Sequence, residues 1–242
     1  MTSFRFPLAA LLLGVLSLVP AAASFDSDPP KDVEFTYARI RYHMTTAALY
    51  EQRELPWHHD YPEGDETFPT FVKEVTNVHT ARNAYQIVDI DSPDLFKYPF
   101  AYMSEPGYLE LNDKDVKNFR AYLERGGFVL VDDFRGPIHL ENLIVQMKKV
   151  FPNRNIVPLS LSHPVFKSFY NIETLDVPPP YGRGRVEFFG LEDDHGRLVM
   201  VINYNNDISE VWQWLDEGRL SLHDAAEALK FGINYLIYDF TH

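Results

Sequence analysis

The sequence predicts an α/β fold: a three-layer sandwich with a mostly parallel central sheet and an antiparallel hairpin at one edge. Three observations predict it. Short apolar runs rich in β-branched and aromatic residues alternate with stretches of helical period along the 242-residue chain, the pattern of strands joined by crossover helices. Phe128-Val-Leu-Val131 is a continuous apolar run between Gly126-Gly127 and Asp132-Asp133, as a strand buried on both faces requires. Residues 186–191 and 198–203 are both strand-like and flank Glu192-Asp-Asp-His-Gly196, a hairpin signal.

In chain order, residues 1–23 read as a secretory signal. Arg5 supplies the positive start, residues 8–19 the apolar stretch and Ala21-Ala-Ala23 a small-residue cleavage site. The stretch is shorter than the roughly 20 residues of a membrane span. The expected product is exported, periplasmic or extracellular, with no membrane span after signal cleavage; the alternative is that the segment stays uncleaved as an N-terminal anchor. Residues 24–32 form a polar leader with Pro29-Pro30, and residues 33–242 a single α/β domain.

Within it, residues 33–42 alternate apolar and polar, which predicts a strand with one wetter face. Residues 44–55 are a short helix or loop. Pro56-Trp-His-His-Asp-Tyr-Pro62 is too aromatic and proline-punctuated for a helix and reads as an ordered loop. A helix follows over 67–78, then strands over 86–88 and 100–103, with turns at Pro93 and Pro99. Asn112 caps a helix with Asp115 at its third position, Val116, Phe119 and Leu123 at helical spacing, and Gly126-Gly127 as the stop. After the central strand, 138–150 reads as a helix whose contacts come from Ile138, Leu143, Val145, Met147 and Val150. Residues 156–161 are a short strand, His163-Pro164 opens a helical turn, and 177–185 is an extended loop. The last helix opens at Ser221, with Asp224 three residues on, and keeps one face apolar to Ile237.

Charge and composition exclude several functions. The formal net charge is −13, which argues against nucleic acid, whose phosphates need a basic face, and against anionic membrane surfaces. There is no cysteine, so disulfides, thiolate metal ligands and a thiol nucleophile are all absent. With 14 tyrosines and 18 phenylalanines, aromatic surface for a carbohydrate or protein is plentiful, although cores use these residues too.

Loops after parallel strands converge on one edge of the sheet. Those loops hold Asp132, Asp133 and Arg135 after the central strand, Trp57, His58, Asp60 and Tyr61 after the first, His163 after a later one and Asp207 after the penultimate. One cleft lined by these residues is expected. Adjacent carboxylates can hold a cation, act as general base or bind sugar hydroxyls. Alternatively, they cap the helix near Pro137 and pair with Arg135. His58, His59 and Asp60 include metal-ligand types. However, they lack the helical His-Glu-x-x-His spacing, and adjacent histidines on an extended segment point apart. The loop is therefore read as packed by Trp57 and Tyr61 and held by Asp60, and no metal is assigned. His163 either faces Asp132 or bonds to the backbone of its own turn. There is no nucleophile elbow of the Gly-x-Ser-x-Gly type, no P-loop and no dinucleotide fingerprint.

Several segments together resemble a bacterial domain of unknown function, family 4159 (DUF 4159). They are Phe35-Thr-Tyr-Ala-Arg39, Trp57-His-His-Asp-Tyr-Pro62, Tyr102-Met-Ser-Glu-Pro-Gly107 and Gly126-Gly-Phe-Val-Leu-Val-Asp-Asp133, then Val150-Phe-Pro152, His163-Pro164, Asn203-Tyr-Asn-Asn-Asp207 and Gly232-Ile-Asn234. The resemblance runs from about residue 34 to the end. It implies a flavodoxin-like fold of the class I glutamine amidotransferase kind, in which a nucleophile sits on a sharp strand-to-helix turn. That turn corresponds here to Asp132-Asp133-Phe134. The missing cysteine excludes amidotransferase chemistry, and the resemblance supplies no other reaction and no cofactor. The expected function is a non-catalytic binding module of the cell envelope, with a glycan or an envelope protein as partner. The alternative is a hydrolase using Asp132 or Asp133 with His163.

Overall fold

The computed structural model describes Pro29 and residues 31–52, 54–179, 184–214 and 221–242. The expected signal over 1–23, most of the leader and residues 180–183 of the expected 177–185 loop lie outside the described residues.

Seven strands form one sheet: β1 (Tyr37–Arg41), β2 (Tyr85–Asp89), β3 (Phe100–Ser104), β4 (Phe128–Phe134), β5 (Val157–Pro158), β6 (Glu187–Glu192) and β7 (Leu198–Tyr204), in the order β2-β1-β3-β4-β7-β6-β5. Pairing is parallel from β2 through β7 in that order and antiparallel for β7-β6 and β6-β5. The apolar run at Phe128 is thus the middle strand, buried at every residue, and the late hairpin forms the antiparallel side, as expected. The chain leaves β1 for β2 on one side and returns to β3 on the other. The crevice between the carboxyl ends of β1 and β3 is therefore a topological switch point, where open α/β sheets bind ligands.

Helices cover both faces. The helices α3 (Asp113–Glu124) and α4 (Pro137–Val150) pack on Ala38, Ile40, Met103, Val129 and Val131. On the other face α2 (Glu63–Val75), α5 (Ile208–Gln213) and α6 (Leu222–Thr241) pack on Tyr37, Phe100, Tyr102, Leu130 and Val201. Among the described α-helices, the four-residue α1 (Ala48–Glu51) stands outside these layers. The Asn112–Asp115 capping box forms, with each side chain taking the other residue's backbone N–H. Gly126 closes the helix at a φ of 115° that favours glycine. Ser221 accepts the Asp224 N–H at 3.1 Å and starts α6.

Four local expectations change. First, β1 is wet only at its end, where Arg41 is exposed, because Arg39 on the same strand is fully buried. Second, α2 starts at Glu63, four residues before the expected start, with Pro69 inside it. Glu63, Asp65 and Glu66 in its first turn suit the positive end of the helix dipole. Third, Ile138 and Val145 of α4 are exposed, and Leu143, Gln146, Met147 and Val150 face the core. Fourth, the strand expected over 156–161 is reduced to two residues.

A carboxylate and histidine cluster at the sheet edge

Four loops meet at the carboxyl edge. After β1, a 3-10 turn at Pro56–His58 leads to His59 and Asp60. Arg39 holds this loop from beneath. Its Nη1 donates to the carbonyls of Trp57 at 3.2 Å and His59 at 2.7 Å. Its Nε donates to both oxygens of Asp65 on α2, each at 3.0 Å. Both partners of this ion pair are completely buried. After β3, Tyr42 Oη donates to the carbonyls of Ser104 at 2.8 Å and Glu105 at 2.7 Å, fixing the turn that carries Glu105. After β7, Asp207 caps α5 by accepting the Glu210 N–H at 3.0 Å.

The end of β4 carries the two aspartates in different roles. Asp132 accepts hydrogen bonds from Asn203 Nδ2 at 3.0 Å and from the N–H groups of Ile208 at 2.8 Å and Ser209 at 3.1 Å. Tyr235 Oη donates to Asn203 Oδ1 at 3.0 Å and fixes that amide. Asp132 is therefore a structural anchor for α5. Asp133 sits where the register between β4 and β7 shifts, with φ at 54°, and its carboxyl points to the β1 loop. His59 Nδ1 lies 2.8 Å from Asp133 Oδ2 and 3.4 Å from Asp60 Oδ1. Ser104 Oγ donates to Asp133 Oδ2 at 3.3 Å, and Arg135 Nη2 is 3.6 Å from Asp133 Oδ1. Ser209 Oγ accepts from Tyr102 Oη at 2.6 Å and lies 2.9 Å from Asp60 Oδ2 and 3.3 Å from Asp207 Oδ1. The Ser209 hydroxyl is thus shared between the two carboxyls, the shorter contact being to Asp60.

Burial dominates the electrostatics of the cluster. Burial, then Asp133 and Asp60, raise Asp207 well above the ordinary carboxylate range. Burial and Asp207 raise Asp132 to about 8, against its three hydrogen bonds. Burial raises Asp133 to about 6, while its contact with His59 works the other way. Burial raises Glu105 to about 7, with the His59 charge opposing and Asp207 assisting. The contacts with Asp133 and Asp60 raise His59, and burial opposes them. Four non-glycine residues with left-handed backbone also sit at this edge: Asp60 (62°), Glu105 (43°), Asp133 (54°) and Asn205 (55°). Such conformations cost energy and gather at functional sites. Asp207 further forms part of the wall of a cavity of about 650 Å³ between the 171–179 segment, α5 and α6.

A model of the family described as "Domain of unknown function (DUF4159)" matches residues 36–240. The chain belongs to the DUF4159 family. No curated protein matches it. All the residues of the cluster, from Arg39 to Ser209, lie inside the DUF4159 match.

Of the residues expected to line one cleft, the DUF4159 fold brings together Asp60, Asp133, Arg135 and Asp207, with Asp132 behind them. Neither aspartate caps α4, whose N-cap is Gly136 without a side-chain bond. The expected pairing of Asp133 with Arg135 does form. Trp57 is a packing residue, nearly buried, with the Arg41 guanidinium 5.9 Å from its ring. His58 and Tyr61 stand in an aromatic row, their rings 4.9 Å apart, and Tyr61 continues to Tyr85 at 5.9 Å. His163 is elsewhere and does not face Asp132. Its Nδ1 accepts the Val165 N–H at 3.1 Å, and its ring packs on Tyr238, which packs on Phe128 at the opposite edge of the sheet. The backbone-bonded reading of His163 is the one that forms. Sequence reasoning missed Glu105, Ser104, Ser209 and the Arg39–Asp65 pair, and weighed His59 only with His58. The signal for Glu105 was its place directly after a strand and before Pro106-Gly107, which is a loop of the same class as that of Asp133.

Proposed function

We propose that this chain is an exported cell-envelope hydrolase acting on a neutral, hydroxyl-rich substrate, with Glu105 as its acid–base group and the His59–Asp133 pair holding the attacking water. The observation that carries the reading is the meeting of a half-buried carboxyl raised to about 7 with a histidine–aspartate pair at the switch point. A group that titrates near neutrality can both give and take a proton at working pH. Asp133 Oδ1 accepts no hydrogen bond among the described residues and has Arg135 Nη2 beside it at 3.6 Å, so a water drawn in there would find an acceptor and a neighbouring positive charge. In the step envisaged, the water loses a proton to a carboxylate and its oxygen bonds to the electrophilic carbon. The leaving oxygen or nitrogen then takes a proton from Glu105. The carboxylates disfavour phosphate esters by like charge. Export rests on the tripartite pattern of residues 1–23.

One observation favours binding without turnover. The His58–Tyr61–Tyr85 row offers ring faces of the kind sugars stack on, and a glycan or envelope protein would then be a ligand only. The test is incubation of the mature chain with neutral glycans, peptidoglycan fragments and acylated sugars, with products read by mass spectrometry. The proposal expects a product, and a loss of at least about 100-fold in Glu105→Gln with the melting temperature kept. Binding without product selects the second reading. Neither binding nor product overturns both.

A further inference from the structure

We propose that His59, Asp60 and Asp133 hold a divalent transition-metal ion of the Zn²⁺ or Mn²⁺ class. The inference deepens the hydrolase reading by naming what activates the water. It rests on the same cleft, but its evidence is geometric and independent of turnover. The three side chains each offer one donor atom, and those atoms lie within 4.8 Å of one another. Donors bound to one ion at about 2.0–2.2 Å, at angles between octahedral and tetrahedral, are about 2.9–3.5 Å apart. His59 Nδ1 is 2.8 Å from one carboxylate oxygen and 3.4 Å from the other, and the widest of the three spacings, within 4.8 Å, would close as the ion draws the donors in.

The directions are as telling as the distances. Although His59 Nδ1 is buried and within 2.8 Å of Asp133 Oδ2, it makes no hydrogen bond of acceptable geometry among the described residues. Asp133, 1 % exposed, also has an oxygen that accepts no hydrogen bond. That oxygen has the Arg135 guanidinium at 3.6 Å but no hydrogen bond among the described residues, and an ion held by both carboxylate oxygens would satisfy it more fully.

The surroundings suit a metal centre. Ser209 Oγ supports Asp60 Oδ2 at 2.9 Å, and Ser104 Oγ supports Asp133 Oδ2 at 3.3 Å. Such outer partners orient ligands. Arg39 fixes the carbonyl of His59 itself. Two carboxylates balance a dication, and one imidazole with two carboxylates and no sulfur is a donor set for Zn²⁺ or Mn²⁺ rather than for Cu⁺ or a cluster. Three protein ligands leave a coordination position for water, as in catalytic rather than structural sites. Arg135, half-exposed and 3.6 Å from Asp133 Oδ1, is the cation that an entering ion would replace at this carboxylate.

The experiment uses the untagged mature chain, stripped by chelator, in equilibrium dialysis against Zn²⁺ with elemental analysis and calorimetry at one pH. The expected result is one saturable ion per chain, displaced by Mn²⁺ more readily than by Ca²⁺. Affinity should fall at least about 100-fold in Asp133→Asn and in His59→Gln and stay unchanged in His163→Gln. His59 is about one-third exposed while Asp133 is buried, so His59→Gln perturbs the fold less than Asp133→Asn; thermal melts check both. Absence of a saturable site in the wild type, or wild-type affinity in His59→Gln, overturns the inference. Stoichiometric zinc with no product from any substrate supports the ion site and sinks the hydrolase reading. Turnover untouched by chelator, with no zinc bound, does the reverse.

Discussion

Arg39→Met should be the most damaging single change at the base of the cluster. Arg39 and Asp65 are both completely buried and joined through three nitrogen–oxygen contacts. Removing the guanidinium strands the Asp65 carboxylate without water or partner, which costs about 3–5 kcal/mol. Losing the donors to the Trp57 and His59 carbonyls adds to this. Against a total stability of about 5–15 kcal/mol, the pair term alone is large. At about 2–4 °C per kcal/mol for a chain of this size, it lowers the melting temperature by about 6–20 °C. The double variant Arg39→Met/Asp65→Leu removes both charges and should recover most of the loss. It does not return donors to the loop carbonyls, so His59 should stay misplaced and any activity or zinc affinity should stay reduced. Circular-dichroism melts and urea titrations of the four proteins of the cycle read the result. A loss below about 1 kcal/mol in the single variant, or a double variant worse than the single, would refute the reasoning.

Two further outcomes follow from burial. Asp132, Asp133, Glu105 and Asp239 are raised by burial to about 8, 6, 7 and 7, above unfolded values of about 4. The folded chain therefore takes up these protons before the unfolded chain does, and stability rises as pH falls from about 8 toward 5. His59 has the same sign, since its folded value lies above the unfolded one of about 6.5. The gain should be at least about 1 kcal/mol per pH unit between 7 and 5, and a melting temperature that falls steadily over that range contradicts it. Val129→Asp places an unpaired charge in a fully buried position of β4 and should cost several kcal/mol; a wild-type melt would show that β4 is not central.

The fold was legible where local and tertiary signals agreed. Asn112 and Asp115 announce a cap that needs nothing from the rest of the chain. The Phe128 run is apolar because both of its faces are covered. Reading failed where a distant partner changed the meaning of a residue. Arg39 looks like a solvent-facing strand residue until Asp65, 26 residues on, is placed against it. Asp132 reads as a cap for the next helix in sequence, yet it serves α5, 76 residues later. His163 was placed at the carboxyl edge because it follows a strand. That strand is two residues long, and the turn that follows it packs on α6, with the His163 ring against Tyr238. His59 was hidden by His58: the rule that neighbours on an extended segment diverge correctly separates them, but it does not say which of the two faces Asp133. The site as a region was legible, because parallel strands send their loops to one edge. Its membership depended on backbone turns at Asp60, Glu105 and Asp133, which leave little trace in residue type.

A carbon-detected NMR titration of the side-chain carboxyls tests the central claim most directly, with Glu105 and Asp133 assigned through Glu105→Gln and Asp133→Asn. The acid–base account predicts midpoints of about 7 for Glu105 and about 6 for Asp133, both moving upward in His59→Gln as the opposing positive charge is lost. Midpoints for both below about 5, in the range of ordinary exposed carboxylates, would contradict it.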